Sequence, residues 1–294
     1  MTQAELVTAQ FERQRPQLRG VAYRMLGSLS EADDAVQEAW LRLNRSDTEA
    51  VENLGGWLTT VVARVSLDML RSRRSRREEY VGGPLPDPVI AAEDENDPEH
   101  EALLADSVGL ALQVVLDQLS PPERLAFVLH DMFGVSFDEI GPIVDRTPAA
   151  ARKLASRARN RVRGAAPVPD PDLGRQREVV NAFLAAARAG DFEGLLAVLD
   201  PDVVLRADAG AGQPELSGLV TGARGVAQRA LIFSRVAADA RPVLVNGAVG
   251  MVRMENGRLV NVAAFTVTNG KIVEIDIVAD ARRLRDFDAR GLGA

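Results

Sequence analysis

Apolar residues recur at three- and four-residue intervals through the N-terminal half of the chain and give way to two-residue alternation near the C-terminus. The first spacing places side chains on one face of a helix, the second on one face of a strand. Leu18, Val21, Ala22 and Met25 make one helical stripe. Ser30 is placed to open a second helix, with Asp33 at its third position and Ala32, Ala35, Val36, Ala39, Trp40 and Leu43 as its buried side. A third helix begins near Asn53 and carries Trp57, Leu58, Val61, Val62, Val65 and Met69 into the run RSRRSRR. This first stretch is read as all-α, with Trp40 and Trp57 as core anchors.

From Ser136 to Arg163 the pattern predicts a helix-turn-helix. Ser136 and Glu139 have capping-box spacing, and Phe137, Ile140 and Ile143 supply the buried side of a first short helix. Asp145 and Arg146 form the turn, Thr147 is the next N-cap, and Pro148 sits where a missing N–H costs nothing. In the second helix Ala151, Leu154, Ala155, Ala158 and Val162 line the packed stripe. Arg152, Lys153, Ser156, Arg157 and Asn160 fall outside it, and such donors suit base edges and phosphates in a major groove.

Beyond residue 175 a long amphipathic helix with Val179, Val180, Phe183, Leu184 and Ala187 apolar is followed by a shorter one over 191–199. A strand then starts at DVVLRADAG, a helix lies near 222–236, and four strands follow: ARPVLVN, AVGMVRME, RLVNVAAFTVT and KIVEIDIV. Asn-Gly pairs at 246–247, 256–257 and 269–270 mark hairpin turns between them. This end of the chain is α+β with an antiparallel meander.

Two composition breaks divide the 294 residues. Residues 78–106 hold ten acids, no Lys or Arg and four prolines, a composition expected to bury little and to act as an extended linker. Residues 164–174, GAAPVPDPDLG, form a second joint. The expected folded units are 1–77, 107–163 and 175–294. The absence of cysteine excludes disulfides, thiolate metal sites and a cysteine nucleophile, and only two histidines occur. Without a signal segment or a long apolar run, the sequence predicts a cytoplasmic protein.

Charge sharpens the picture. Net charge is -7, yet Arg146 to Arg163 contains seven basic residues and no acid. Such a patch attracts phosphate through its local field. Six arginines against the single Asp68 lie between Arg64 and Arg77, while Glu31, Asp33, Asp34 and Glu38 share a face of the second helix without a base in it. A solvated face is the plain alternative for the acids, and helix-dipole complementation accounts for one or two of the arginines. Five arginines crowded into Arg71 to Arg77 call for an anionic partner.

In this order the blocks GVAYRMLGSLSEADDAVQEAWLRL, NLGGWLTTVVARVSLDMLRSRRSRRE and LDQLSPPERLAFVLHDMFGVSFDEIGPIVDRTPAAARKLASRARNRVR resemble the extracytoplasmic-function (ECF) bacterial sigma factors over about 1–163. The resemblance implies a region 2 helical bundle, a region 4 helix-turn-helix, and two partners, core RNA polymerase and promoter DNA. It places Asp33, Asp34 and Glu38 on the polymerase-binding surface. It also assigns Arg64, Asp68, Arg71, Arg73 and Arg74 to melting and reading the -10 element, and Arg152, Lys153, Ser156, Arg157 and Asn160 to the -35 element.

The C-terminal unit resembles the SnoaL-like, NTF2-like cone, and a sigma factor extended this way resembles the SigJ-type subgroup, whose extension regulates activity by docking on the sigma regions. YVGGPLPDPV corresponds to that subgroup's linker signature, and ADAGAG, with Asp208, Gly210 and Gly212, to its Gly-rich regulatory loop, here without a lysine. The tail ADARRL likewise departs from the subgroup's pattern. A small ligand in the cone is compatible with the fold, and neither metal, cofactor nor catalytic residue is expected. Two other functions stay open: a ligand-responsive operator-binding regulator acting without polymerase, and a SnoaL-like isomerase or cyclase using Asp208 or Asp276.

Overall fold

The computed structural model describes residues 3–45, 53–76, 85–91, 109–232 and 240–286. They fall into two compact units. The first takes the described residues up to 76 and from Gln113 to Ala165, and the second takes 85–91, 109–112 and the described residues from Ala166. Residues 1–77 and 107–163, expected as separate bodies, thus contribute to one unit.

In the first unit α1 (Gln3–Leu26), α2 (Leu29–Leu43) and α3 (Leu54–Arg76) pack on one another. Leu18, Val21, Ala22 and Met25 of α1 are buried against Ala32, Ala35, Val36, Ala39 and Leu43 of α2 and Leu58, Val62 and Val65 of α3. Two expectations change. Ser28, not Ser30, is the α2 N-cap, because the extended backbone lies at Ser28. Trp40 and Trp57 are only half-buried, and Trp40 is covered from one side by the Phe11 ring at 4.7 Å. Asn53 caps α3 by accepting from the Gly56 N–H at 3.0 Å. The remaining elements are α4 (Leu110–Asp117), entering this unit at Gln113, then α5 (Pro121–Phe127) with a π turn (Val128–Met132), α6 (Phe137–Ile143) and α7 (Pro148–Ala165).

The second unit is a seven-stranded sheet in the order β1-β4-β5-β6-β7-β2-β3, antiparallel except for the β2–β7 pair. Its strands are β1 (Ile90–Ala91), β2 (Leu199–Asp208), β3 (Gly218–Thr221), β4 (Ala240–Val245), β5 (Ala248–Glu255), β6 (Arg258–Thr268) and β7 (Lys271–Val278). Asn246, Asn256 and Asn269 and the glycines after them all have positive φ, the backbone of a type I′ turn, so each Asn-Gly pair closes the hairpin it was expected to close. Helices α8 (Leu173–Ala189), α9 (Phe192–Val198) and α10 (Ala223–Ile232) bury Val180, Phe183, Leu184, Leu195 and Val226 with Leu205, Phe265 and Ile275 of the sheet. The α+β cone has the expected order, with β3 as an unanticipated edge strand.

The acidic linker holds the main surprise. Residues 85–91 bury Leu85, Val89, Ile90 and Ala91, and β1 pairs with β4 as an edge strand. A composition average missed this because the acids cluster on either side of seven residues that include just one, Asp87.

Candidate nucleic-acid interface

The helix-turn-helix is built as its sequence implies. The Ser136 side chain accepts from the Glu139 N–H at 3.3 Å, and the Glu139 carboxylate accepts from the Ser136 N–H at 3.2 Å. Asp145 turns the chain at φ 56°, and the Thr147 hydroxyl accepts from the Ala150 N–H at 3.3 Å. A Cβ on Gly141 would sit 2.8 Å from the Arg146 carbonyl oxygen and 3.2 Å from the Pro148 nitrogen, so only glycine lets α6 approach the turn this closely. Ala151, Ala155 and Ala158 of α7 are fully buried, with Leu154 and Val162 half-buried at the margin. Arg152, Lys153, Ser156, Arg157 and Asn160 are all exposed.

Not every basic residue here is available to a phosphate. Arg159 donates to Asp131 at 2.7 Å, and Arg161 to Glu123 at 3.0 Å. Burial works against ionisation of Glu123, but hydrogen bonds from Ser120 together with Arg161 and Arg157 outweigh it and hold this carboxyl below its ordinary value. These two arginines fasten α7 to the preceding helices.

On α3, Arg64, Asp68 and Arg71 lie one helical turn apart and are exposed, with Arg71 3.6 Å from Asp68. Arg73 is half-buried: it pairs with Glu31 and donates to the Leu26 carbonyl at 2.8 Å, tying α3 to the α1–α2 turn. The Arg74 side chain lies outside the described residues. The acidic face of α2 is compensated from two sides: Arg19 of α1 meets Asp33 at 2.6 Å, and Arg42, one turn further along α2 itself, meets Glu38 at 2.9 Å. Both pairs are exposed and each is worth only about 0–1 kcal/mol, so a basic partner can replace the arginine. Asp34 makes no ion pair among the described residues.

Helical periodicity carried no sign of what joins the two halves of this unit. The last turn of α1 leaves carbonyls without helical partners. Gln113 donates to Tyr23 and Arg24 at 3.3 and 3.2 Å, and Arg124 donates to Arg24 at 2.7 Å while pairing with Asp117. Arg124 is 2% exposed. Side chains that lead into the helix-turn-helix therefore cap the first helix of the unit.

Residues 10–76 match the Sigma-70 region 2 family model and residues 109–162 the Sigma-70 region 4 model. The chain is 37% identical over 288 residues to the ECF RNA polymerase sigma factor SigJ of Mycobacterium tuberculosis, covering 92% of this chain and 91% of that one. It belongs to the ECF sigma factors. The probable ECF sigma factor SigI of the same organism is 32% identical over 97% of both chains. The crystal structure of M. tuberculosis SigJ superposes with a TM-score of 0.76 at 35% identity, covering 94% of this chain and 97% of that one. The SigJ relationship thus extends through the C-terminal unit, while the two family models define the sigma regions. Among the described residues no helix is long and apolar enough to cross a membrane.

In this sigma factor the linker residues 85–91 form a strap on the C-terminal unit. Arg283 donates to Asp87 through Nη2 and to Asp208 through Nη1, each at 2.6 Å. Asp208 also accepts from the Leu85 N–H at 3.1 Å and the Gly210 N–H at 3.0 Å. Val89 donates to the Asn246 side chain at 3.0 Å and accepts from the Asn246 N–H at 2.7 Å. The three quoted signatures, in linker, loop and tail, converge on Arg283, which the sequence reading did not single out. Gly210 has φ 70° and its Cα faces the Asp280 carboxylate with no room for a Cβ. At Gly212 the surrounding space is open, and nothing there requires glycine.

Asp276 lies on the sheet face opposite the helices, 2% exposed, with Arg206 of β2 at 3.1 Å; the same guanidinium pairs with Glu274. Burial pushes the Asp276 carboxyl up to about 6, and Arg206 restrains the rise. Because the folded chain then holds this proton more tightly than the unfolded chain, stability rises as pH falls through about 6 and levels off below the ordinary aspartate value. Thermal unfolding should show a gain of about 1 kcal/mol between pH 7 and pH 5 that Asp276→Asn lacks. An equal gain in the variant would locate the titration elsewhere.

Proposed function

We propose that α7 reads the -35 element through Arg152, Lys153, Ser156, Arg157 and Asn160, and that the Arg64–Asp68–Arg71 face of α3, continued by Arg74, engages the -10 element. Asp33, Asp34 and Glu38 meet a basic surface of core RNA polymerase, exchanging Arg19 and Arg42 for the partner's cations. Arg73 serves this surface indirectly, by fixing α3 against α2. The observation that carries the reading is the exposed basic face of α7 in a chain of net charge -7. Opening DNA costs roughly 1.4 kcal/mol per base-pair step, which contacts made only to the open strand must return. A cytoplasmic location follows from this role.

The C-terminal unit acts as an intramolecular regulator, holding the strap that connects the two sigma regions. Its helix-facing interior is filled by Phe183, Phe265 and their aliphatic neighbours, with the two rings 5.7 Å apart. A small ligand would have to displace them, which favours a docking role over ligand capture or catalysis. Asp208 and Asp276, the carboxylates considered for an isomerase or cyclase, are both engaged by arginine.

The test is to mix the purified full chain with core polymerase and a promoter pool. Co-elution with polymerase and a specific start site are expected, and alanine at Asp33, Asp34 and Glu38 should weaken co-elution more than duplex binding. Specific duplex binding without polymerase, and no transcript from any template, would establish the operator-binding alternative instead.

A further inference from the structure

We propose that Phe137, backed by His130, is a positioning residue that presets Arg152 for reading a base. The inference rests on the assignment of α7 to DNA and adds how one of its readers is aimed. The Arg152 guanidinium lies over the Phe137 ring, 5.3 Å from its centroid, within the range of a cation–π contact. Phe137 is itself held: it is the first residue of α6, inside the Ser136–Glu139 capping box, and its other neighbour is the His130 ring at 3.9 Å, tilted by 32°. His130 is fixed in turn. Its Nδ1 lies 3.0 Å from the Val135 carbonyl oxygen, which can only accept, so Nδ1 carries the proton.

An arginine held through its π face keeps its N–H fork free. Among the described residues the Arg152 guanidinium makes no hydrogen bond, unlike Arg159 and Arg161, whose forks are spent on Asp131 and Glu123. A free arginine loses rotamer entropy when fixed, and a guanidinium already parked on a ring loses less on meeting DNA. Lys153 has no ring beneath it among the described contacts, and a flexible ammonium suits a phosphate rather than a base.

The experiment is transcription by polymerase loaded with the full chain, on templates with a randomised -35 element. Arg152→Ala should flatten base preference at one position by about tenfold or more, the size of one bidentate contact. Phe137→Leu, which keeps an apolar side chain and removes the ring, should flatten the same position by about threefold and leave the others unchanged, matching an exposed cation–π contact. Phe137→Tyr and Phe137→Trp should preserve the profile, and His130→Leu should give a weaker version of the Phe137→Leu effect. If Arg152→Ala flattens a position that Phe137→Leu leaves intact, or if Phe137→Leu weakens all positions equally, the positioning role is wrong. If Arg152→Ala changes no preference, the reading of α7 itself fails. Should Phe137→Leu not fold, the Tyr, Trp and His130→Leu profiles decide between the same outcomes.

Discussion

Replacing Arg283 by alanine is expected to release the strap and cost the C-terminal unit about 3 kcal/mol. The guanidinium is 20% exposed and the carboxylates of Asp87 and Asp208 are 14% and 13% exposed, so its loss leaves two anions facing each other with little water between them. Removing one partner from a largely buried ion pair costs about 3–5 kcal/mol, mostly as the penalty of the charge left behind. The low end applies here because the Leu85 and Gly210 N–H groups still solvate Asp208. Hydrogen exchange gives the direct readout: the Leu85 and Val89 amides should exchange about 100-fold faster, the factor that nearly 3 kcal/mol implies. Arg283→Lys keeps the charge but cannot span two carboxylates as a fork, so an intermediate effect is expected. Unchanged exchange at Leu85 and Val89 in the alanine variant would mean that β1 pairing and the Asn246 bonds hold the strap unaided.

What could be read from the sequence follows the range of the physics involved. Periodicity and turn chemistry are local, so the α1 stripe, the α7 face and the three Asn-Gly hairpins are legible in the sequence alone. Convergence between distant segments was not. Glu31 and Arg73 are 42 residues apart, Arg24 and Arg124 are 100 apart, and Asp87 and Arg283 are 196 apart. The misreadings share this origin. Arg73 looked unpaired because its partner Glu31 lies on another helix, and the α2 acids looked uncompensated in part because Arg19 belongs to α1. Leu85 to Ala91 looked like open linker because the strand that covers it comes more than 150 residues later. Asp276 alternated with Ile275 and Ile277 as an ordinary strand residue would, and only the β2–β7 register brings Arg206 beside it.

A covalent staple between the two halves of the first unit is expected to abolish initiation at promoters that need both elements. Elements centred at -10 and -35 lie about 25 base pairs apart, roughly 85 Å at 3.4 Å per pair. A compact unit of about 140 residues has a radius of gyration of only about 14 Å. On the proposed assignment of α3 and α7, the caps from Gln113 and Arg124 on the end of α1 must therefore break before both helices can engage one promoter. A few neutral or charge-assisted hydrogen bonds of about 1–3 kcal/mol each are within what polymerase and DNA binding can overcome, whereas a disulfide is not. The chain has no cysteine of its own, which makes the test clean. A Cβ at Gly27 would face the Asp117 side chain, 3.4 Å from its carboxylate, so Gly27→Cys with Asp117→Cys is the pair to join. Gly27 has φ 68°, and cysteine there costs about 1–2 kcal/mol, so the reduced double variant serves as the reference. Oxidation should remove the two-element transcript while leaving co-elution with core polymerase through α2 intact, and dithiothreitol should restore the transcript. Full activity in the oxidised form would show that the unit reads both elements without opening.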